Sequence, residues 1–292
     1  MLISSKYFFD IIYLFYAVII NKKLFNSFIK NSCFNNDYYH YYININFLIK
    51  YSMKSKHLVI QIDIGQGTQW GSKDTINPIR EIFMPSVKNY CKKFNYDYVL
   101  IDKSVYEEKY ISFDFLETKN KHYSFERYFH FANDYDYTVY IDNDVYIYKD
   151  AKKLPIIQGL MNAKEPEGNS SKIFRKVNNL DANVRYYNSG VTFCDNSTAN
   201  ILSMYMINRL ENRLIPKGKN SDNMLLNEFI LENRYLFNEI GIEWNYSPFL
   251  PNADKIKNPQ FFHFVGILGK QIINHLQEKK INIEGFLNKI KN

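Results

Sequence analysis

The stretch Tyr137-Thr-Val-Tyr-Ile-Asp142-Asn143-Asp144-Val-Tyr-Ile-Tyr148 decides how the rest of this 292-residue chain is read. A run of β-branched and aromatic residues predicts a buried strand, and Asp-Asn-Asp falls where that strand leaves its sheet. In open α/β sheets ligands bind outside the carboxyl ends of the strands, so Asp142 and Asp144 are expected at a crevice and not in a core. Two carboxylates one position apart repel each other unless a cation stands between them, and a hard divalent ion such as Mn2+ or Mg2+ meets that need. A plain polar turn gives the same local sequence, so the surrounding chain has to separate the two readings.

Working outward, the order of elements predicts an α/β sheet. His57-Leu-Val-Ile-Gln-Ile-Asp63 reads as a first buried strand, followed by a turn carrying Gly65, Gly67 and Gly71. That turn lacks the Gly-Lys-Ser/Thr of a phosphate loop and suits either a simple connection or a surface for a nucleotide base or ribose. Ile79, Ile82, Phe83, Tyr90, Cys91 and Phe94 recur at helical spacing, with Pro85 implying a kink or restart. Tyr96 to Asp102 reads as a second strand ending in an acid, and a helix across Tyr123 to Ala132 carries Arg127 just ahead of the central strand. Its guanidinium suits paired hydrogen bonds to a phosphate or a carboxylate, one of the acidic pair included, and equally a surface salt bridge. Strand, helix, strand, helix, strand predicts a parallel, right-handed arrangement.

Beyond Asp150 the pattern predicts a short helix to about Met161, then a polar lid or substrate loop from Asn162 to Val184. Tyr187-Asn188-Ser189-Gly190-Val191 returns to strand character and sets side-chain donors beside a glycine, which suits sugar hydroxyls or simply a turn. Thr198 to Leu210 reads as a helix, and Asp222 falls near the cap of the next, ahead of Asn223. His263 sits in an apolar strand, before Gly266 and Lys270, and residues 271–292 read as a basic amphipathic helix. A histidine so placed serves a core or a metal; with Lys270 nearby, one turn supplies both a ligand and a cation.

Charge and cysteine bound the function. The net charge of +7 comes almost entirely from the tails: residues 1–52 and 270–292 each hold five Lys against two acids, leaving the middle nearly neutral. A basic stripe for nucleic acid is missing from that middle, which argues against nucleic-acid binding. Three scattered cysteines without Cys-x-x-Cys argue against a disulfide framework and a zinc site. Residues 1–52 contain no Gly or Pro, and their 13-residue run from Phe8 to Ile20 is interrupted by Asp10. It is short of the ~20 residues a spanning helix needs, and no small-residue cleavage site follows. An interfacial or anchoring segment, a helix packed on the domain, and an extension upstream of a start at Met53 all fit. The reading favours a cytoplasmic or peripherally membrane-associated protein without a cleavable signal peptide.

Five separated stretches, in order, carry a resemblance. Phe125-Glu-Arg127-Tyr128, Tyr140-Ile-Asp142-Asn143-Asp144, Tyr187-Asn188-Ser189-Gly190-Val191, Asp222-Asn223-Met-Leu-Leu-Asn227 and His263-Phe-Val-Gly266 resemble the motifs of nucleotide-sugar-dependent glycosyltransferases of the GT-A fold, most of all family 8, which includes glycogenin and bacterial galactosyltransferases. The resemblance spans about Leu58 to Lys270, with Asn223 where the family has Gln and Lys270 one position later than the family's Lys.

The resemblance implies a GT-A (Rossmann-like) mixed, mainly parallel sheet flanked by helices in one domain over 53–270. It implies that Asp142, Asp144 and His263 bind Mn2+ or Mg2+ bridging the diphosphate of a UDP- or GDP-sugar, with Arg127 and Lys270 on the phosphates. Asp222 would lie beside the reacting carbon. Asn188, with Ser189, would hold sugar, while Asp63, Asp102, Asn143, Gly190, Asn223 and Gly266 would line the donor and acceptor sites. Transfer to a glycan, protein or other hydroxyl acceptor, with retention, is the implied reaction. A non-catalytic carbohydrate-binding relative and a haloacid-type phosphohydrolase, whose nucleophile pattern Asp142-Asn-Asp144-Val145 also fits, are the competing readings.

Overall fold

In the computed structural model the described residues are 56–64, 79–105, 122–214, 221–250 and 256–291. The expectations for residues 1–52 and for the turn with Gly65, Gly67 and Gly71 lie outside them. Among the described residues the frame is a six-stranded mixed sheet with helices on both faces, in the order β2-β1-β3-β6-β5-β7. β1 (His57–Ile62) pairs in parallel with β2 (Asp97–Ile101) and β3 (Tyr137–Ile141), as strand-helix-strand order demands. β6 (Tyr187–Asp195) then runs antiparallel to both β3 and β5 (Leu160–Lys164), and β5 pairs in parallel with β7 (Phe237–Ile240). Three of the five pairings are parallel.

β1 is buried along its whole length, which explains its unbroken apolar run. One face of the sheet is covered by α2 (Glu126–Phe131), α4 (Asn196–Glu211) and α5 (Ser221–Glu232), through Tyr128, Phe131, Leu202, Met206, Leu225 and Phe229. The other is covered by α1 (Met84–Phe94), whose Val87, Tyr90 and Cys91 pack with Val139, Trp244 and Phe261. Pro85 lies in the first turn of α1, where its missing N–H costs nothing, and a π-helical turn over Ile79–Phe83 precedes it.

Two stretches differ from expectation. The helix predicted to run to Met161 is absent: residues 151–158 form no regular element, with Pro155 barring a helix and Gly159 turning the chain at φ 68° into β5. Leu-Met-Asn-Ala-Lys has little strand preference of its own, so the two flanking ladders impose it. The predicted loop 162–184 contains the end of β5 and α3 (Asn169–Val177), anchored by buried Phe174 and by Arg175, which binds Glu167 and the Val184 carbonyl. The C-terminal helix also begins earlier and is broken. α6 (Gly266–Glu278) and α7 (Ile283–Lys291) are separated by a turn with Lys280 at φ 49°, and both pack on β8 (Phe261–His263) and Tyr146. No helix of the described residues is long and apolar enough to cross a membrane.

Candidate active site

The central strand ends at Ile141, and the Asp142-Asn143-Asp144 turn, closed by Val145 N–H donating to the Asp142 carbonyl, redirects the chain into β4 (Val145–Ile147). β4 pairs antiparallel with β8 so that Val145 faces His263. That register brings a residue from 119 positions away onto the two acids. His263 Nε2 lies 3.2 Å from Asp144 Oδ1 and 3.7 Å from Asp142 Oδ2. One donor atom from each of the three lies within 4.8 Å of the others.

Each donor is aimed by a neighbour. Tyr140 O–H donates to Asp142 Oδ1 at 2.6 Å. Gln61, fully buried in β1, donates to the Asp142 carbonyl and accepts from Tyr98, tying the turn to the neighbouring strands. The Asn245 carboxamide oxygen lies 2.9 Å from His263 Nδ1. Gly190 supplies the floor: an added Cβ would sit 2.1 Å from His263 Cε1 and 2.8 Å from Asp142 Oδ2, so only glycine permits this approach.

The electrostatics are those of an incomplete cluster. Burial first, then the charge of Asp144, push the Asp142 carboxyl up to about 6, against relief from His263 and Arg127. Burial alone would lower the His263 imidazole, but Asp144 and Asp142 outweigh it and hold the ring above its ordinary value. Asp144 is 3% exposed and its Oδ1 has no hydrogen-bond partner. A buried carboxylate whose oxygen has no hydrogen bond beyond the contact with the His263 imidazole at 3.2 Å is costly. Two carboxylates and one imidazole fit a divalent ion, Mn2+ more readily than the all-oxygen preference of Mg2+.

Beside the cluster lies a second set of polar side chains joined by hydrogen bonds. Arg127, 1% exposed and stacked on Tyr140 at 4.4 Å from the ring centre, donates to the Ser189 carbonyl, to Ser189 Oγ and to Asp222 Oδ2 at 2.5 Å. Burial opposes its charge, while Tyr128, Tyr140 and Asp222 outweigh burial and raise its pKa. Asn188 and Asn223 each donate to Glu165 Oε2 at 3.1 Å. Burial raises the Glu165 carboxyl, and these two amides offset part of that.

No protein-family model and no curated protein matches this chain. Among solved structures, a glycosyltransferase involved in the glycosylation of the major capsid of PBCV-1 superposes with a TM-score of 0.50 at 16% identity, covering 76% of this chain and 99% of that one. The fold is GT-A. The galactosyltransferase LgtC, solved with donor and acceptor sugar analogs, matches with a TM-score of 0.45 at 11% identity over 76% and 95% of the two chains. Mouse xyloside xylosyltransferase 1 matches with a TM-score of 0.44 at 12% identity over 72% and 97%.

On this GT-A sheet the residues singled out in the sequence are distributed as follows. Asp142, Asp144 and His263 meet in one cluster; Arg127, Ser189 and Asp222 form one hydrogen-bonded set, and Asn188, Gly190 and Asn223 another around Glu165. Arg127 therefore reaches the carboxylate of Asp222, not the acidic pair. Asn143 is buried and donates to the Ile62 carbonyl, which makes it a tie between β1 and the turn. Asp63 accepts two hydrogen bonds from Arg80 at 2.7 and 3.1 Å, and Asp102 is exposed at the end of β2. Gly266 opens α6 at φ 77°, and Lys270 lies half-buried one turn on. Sequence reasoning missed Gln61, Arg80, Glu165 and Asn245. Asn245 follows Trp244 in a short polar stretch that carries no motif, and Glu165 falls in the stretch read as a lid.

Proposed function

We propose that this chain is a metal-dependent glycosyltransferase that moves a sugar from a UDP- or GDP-sugar to a hydroxyl of a glycan or protein acceptor, with retention, and that residues 53–270 form its catalytic domain. The observation that carries the reading is the Asp142, Asp144 and His263 cluster: two carboxylates and one imidazole whose ligand atoms lie within 4.8 Å of one another at the carboxyl end of the central strand of a GT-A sheet. Mn2+ or Mg2+ held by these three residues would supply Lewis-acid neutralisation of the departing diphosphate.

The chain's own groups do the rest. Tyr140 and Gly190 hold the Asp142 carboxylate and the imidazole in register. Arg127, itself buried, fixes Ser189 and the part-exposed Asp222 together, so that Asp222 can stand beside the anomeric carbon without reorganising. Asn188 and Asn223, tied to each other through Glu165, would meet the sugar hydroxyls from one network. In this reading Asp63 and Asp102, at the ends of β1 and β2, border the nucleoside, and Gly266 and Lys270 on α6 face its phosphates.

The test is a screen of nucleotide-sugars for Mn2+-dependent donor hydrolysis by the full chain and by Asp144→Asn. Turnover in the wild type alone supports the proposal. Turnover equal in both, or phosphatase activity without consumption of any nucleotide-sugar, refutes it, and sugar binding without hydrolysis in saturating Mn2+ favours the non-catalytic relative.

A further inference from the structure

The polar chain leading away from His263 has a direction that can be read without seeing a hydrogen atom. Gly190 N–H can only donate, and it donates to Asn188 Oδ1 at 2.8 Å. The other end of that carboxamide, Asn188 Nδ2, lies 3.1 Å from a Glu165 oxygen, an acceptor when ionised. Asn188 is thus oriented from both sides. Asn245 approaches the same Asn188 Oδ1 at 2.9 Å and must present its NH2 there, which turns its own oxygen toward His263 Nδ1 at 2.9 Å. The Asn245 oxygen so held can only accept, so Nδ1 carries a proton; Asp144 Oδ1, 3.2 Å from Nε2, is the rival acceptor at the other nitrogen, and the fixed Asn245 oxygen is what biases a neutral ring toward Nδ1–H. The neutral imidazole then has its lone pair on Nε2, the nitrogen that faces Asp144 and Asp142.

We infer that Asn245 is a positioning residue that locks His263 in the Nδ1–H tautomer, with its polarity dictated through Asn188 by the Gly190 amide and the Glu165 carboxylate. This rests on the metal reading above for its purpose, since only an unprotonated Nε2 can ligate an ion. Asn188, Asn245 and His263 are all less than a tenth exposed, so water does not readily substitute for any link. In metal sites such outer partners fix ring orientation and raise ligand basicity, and their loss weakens metal binding about 10- to 100-fold. Without Asn245, the ring is free to turn its proton to Nε2 and bond Asp144 directly, which occupies both ligands at once.

The experiment is nitrogen NMR of full-length, metal-free protein labelled with 15N only in histidine, over a pH series carried up to where the His263 ring is neutral, with Mn2+ affinity measured alongside. The wild type is expected to show Nδ1–H. Asn245→Leu, similar in shape and without polar atoms, is expected to move the proton to Nε2 and to weaken Mn2+ binding about 10- to 100-fold. Asn245→Asp keeps an acceptor for Nδ1–H and is expected to retain the tautomer, whereas a purely packing role predicts no difference between the Leu and Asp variants. An Nε2–H wild type overturns the inference whether or not any variant folds, as does an Asn245→Leu protein with unchanged tautomer and affinity. If the wild type shows Nδ1–H yet binds no Mn2+, the metal reading fails and the tautomer assignment survives it.

Discussion

Three neighbouring parallel strands, β2, β1 and β3, each end in acid, and the acids differ in what surrounds them. Asp63 at the end of β1 is neutralised by the fork of Arg80, and Asp102 at the end of β2 is exposed. Asp142 and Asp144 after β3 share one imidazole and have burial and mutual repulsion against them. A strand-end acid paired with arginine or bathed in water is complete. Two neighbouring ones, Asp144 buried and Asp142 partly so, with a single weak base between them are not, and the deficit is what a cation would fill. The same sequence signature therefore has three outcomes, decided by what the tertiary fold brings up to it.

The comparison breaks hardest at Asp144. Asp144→Asn should reduce transfer on the order of 10²- to 10³-fold, the loss expected when one preorganised electrostatic contact disappears. The folded protein should persist, because the substitution removes the repulsion between the two acids at nearly unchanged shape; thermal melting and Mn2+ titration check both halves. Gly190→Ala comes next. Its Cβ would collide with the imidazole and with Asp142, so overpacking of about 1–3 kcal/mol and a roughly tenfold or larger loss of Mn2+ affinity are expected. If Gly190→Ala binds Mn2+ like the wild type, the cluster is looser than its geometry implies.

Smaller, and directed at the charge deficit itself, is the dependence on pH. Asp142 in the metal-free fold keeps its proton to about 6 against 3.8 ordinarily, so between those values the folded chain binds more protons than the unfolded one. Stability from this group is complete below the lower value and is lost as pH rises through the upper one. His263, also raised, adds a loss of the same sign on going above its ordinary 6.5. In EDTA the melting temperature of the wild type relative to Asp142→Asn should fall between pH 4 and pH 7. Saturating Mn2+ should reverse the trend, because the ion binds the deprotonated ligands. A difference flat in pH would mean that Asp142 is not held protonated.

How much of this was readable from the sequence follows the range of each interaction. Strands β1, β3 and β6 are legible because their apolar runs are buried, β2 is legible from its apolar run although most of it is exposed, and Asp-Asn-Asp is legible because it abuts one of them. β5 is not, since Leu160–Lys164 becomes a strand only through partners distant in sequence, the nearest being Tyr187 opposite Lys164. The helix over Asn169–Val177 had a signal, Phe174 and Val177 with basic residues in the last turn, hidden by the polar composition around it. Glu165 and Asn245 are single polar residues whose meaning comes from the amides facing them, and no local spacing encodes a hydrogen bond between positions 165 and 223. The Gly190 constraint lies between these cases: glycine in a strand signals a close approach, but not that His263 is what approaches.

The smallest expected effect sharpens the comparison from its complete side. Arg80 is 44% exposed and Asp63 20%, so their pair, though bidentate, is screened by solvent, and Arg80→Ala should cost only about 0.2–1 kcal/mol of stability. It should leave Mn2+ affinity unchanged, because Asp63 is not among the residues of the cluster. If the nucleoside reading of Asp63 holds, the loss should appear instead as a raised KM for the nucleotide-sugar with kcat preserved, the pattern of binding energy felt equally in ground and transition states. Should Arg80→Ala lower kcat and Mn2+ affinity together, the acids at the ends of β1 and β3 are coupled, and the division between a complete and an incomplete strand end would have to be redrawn.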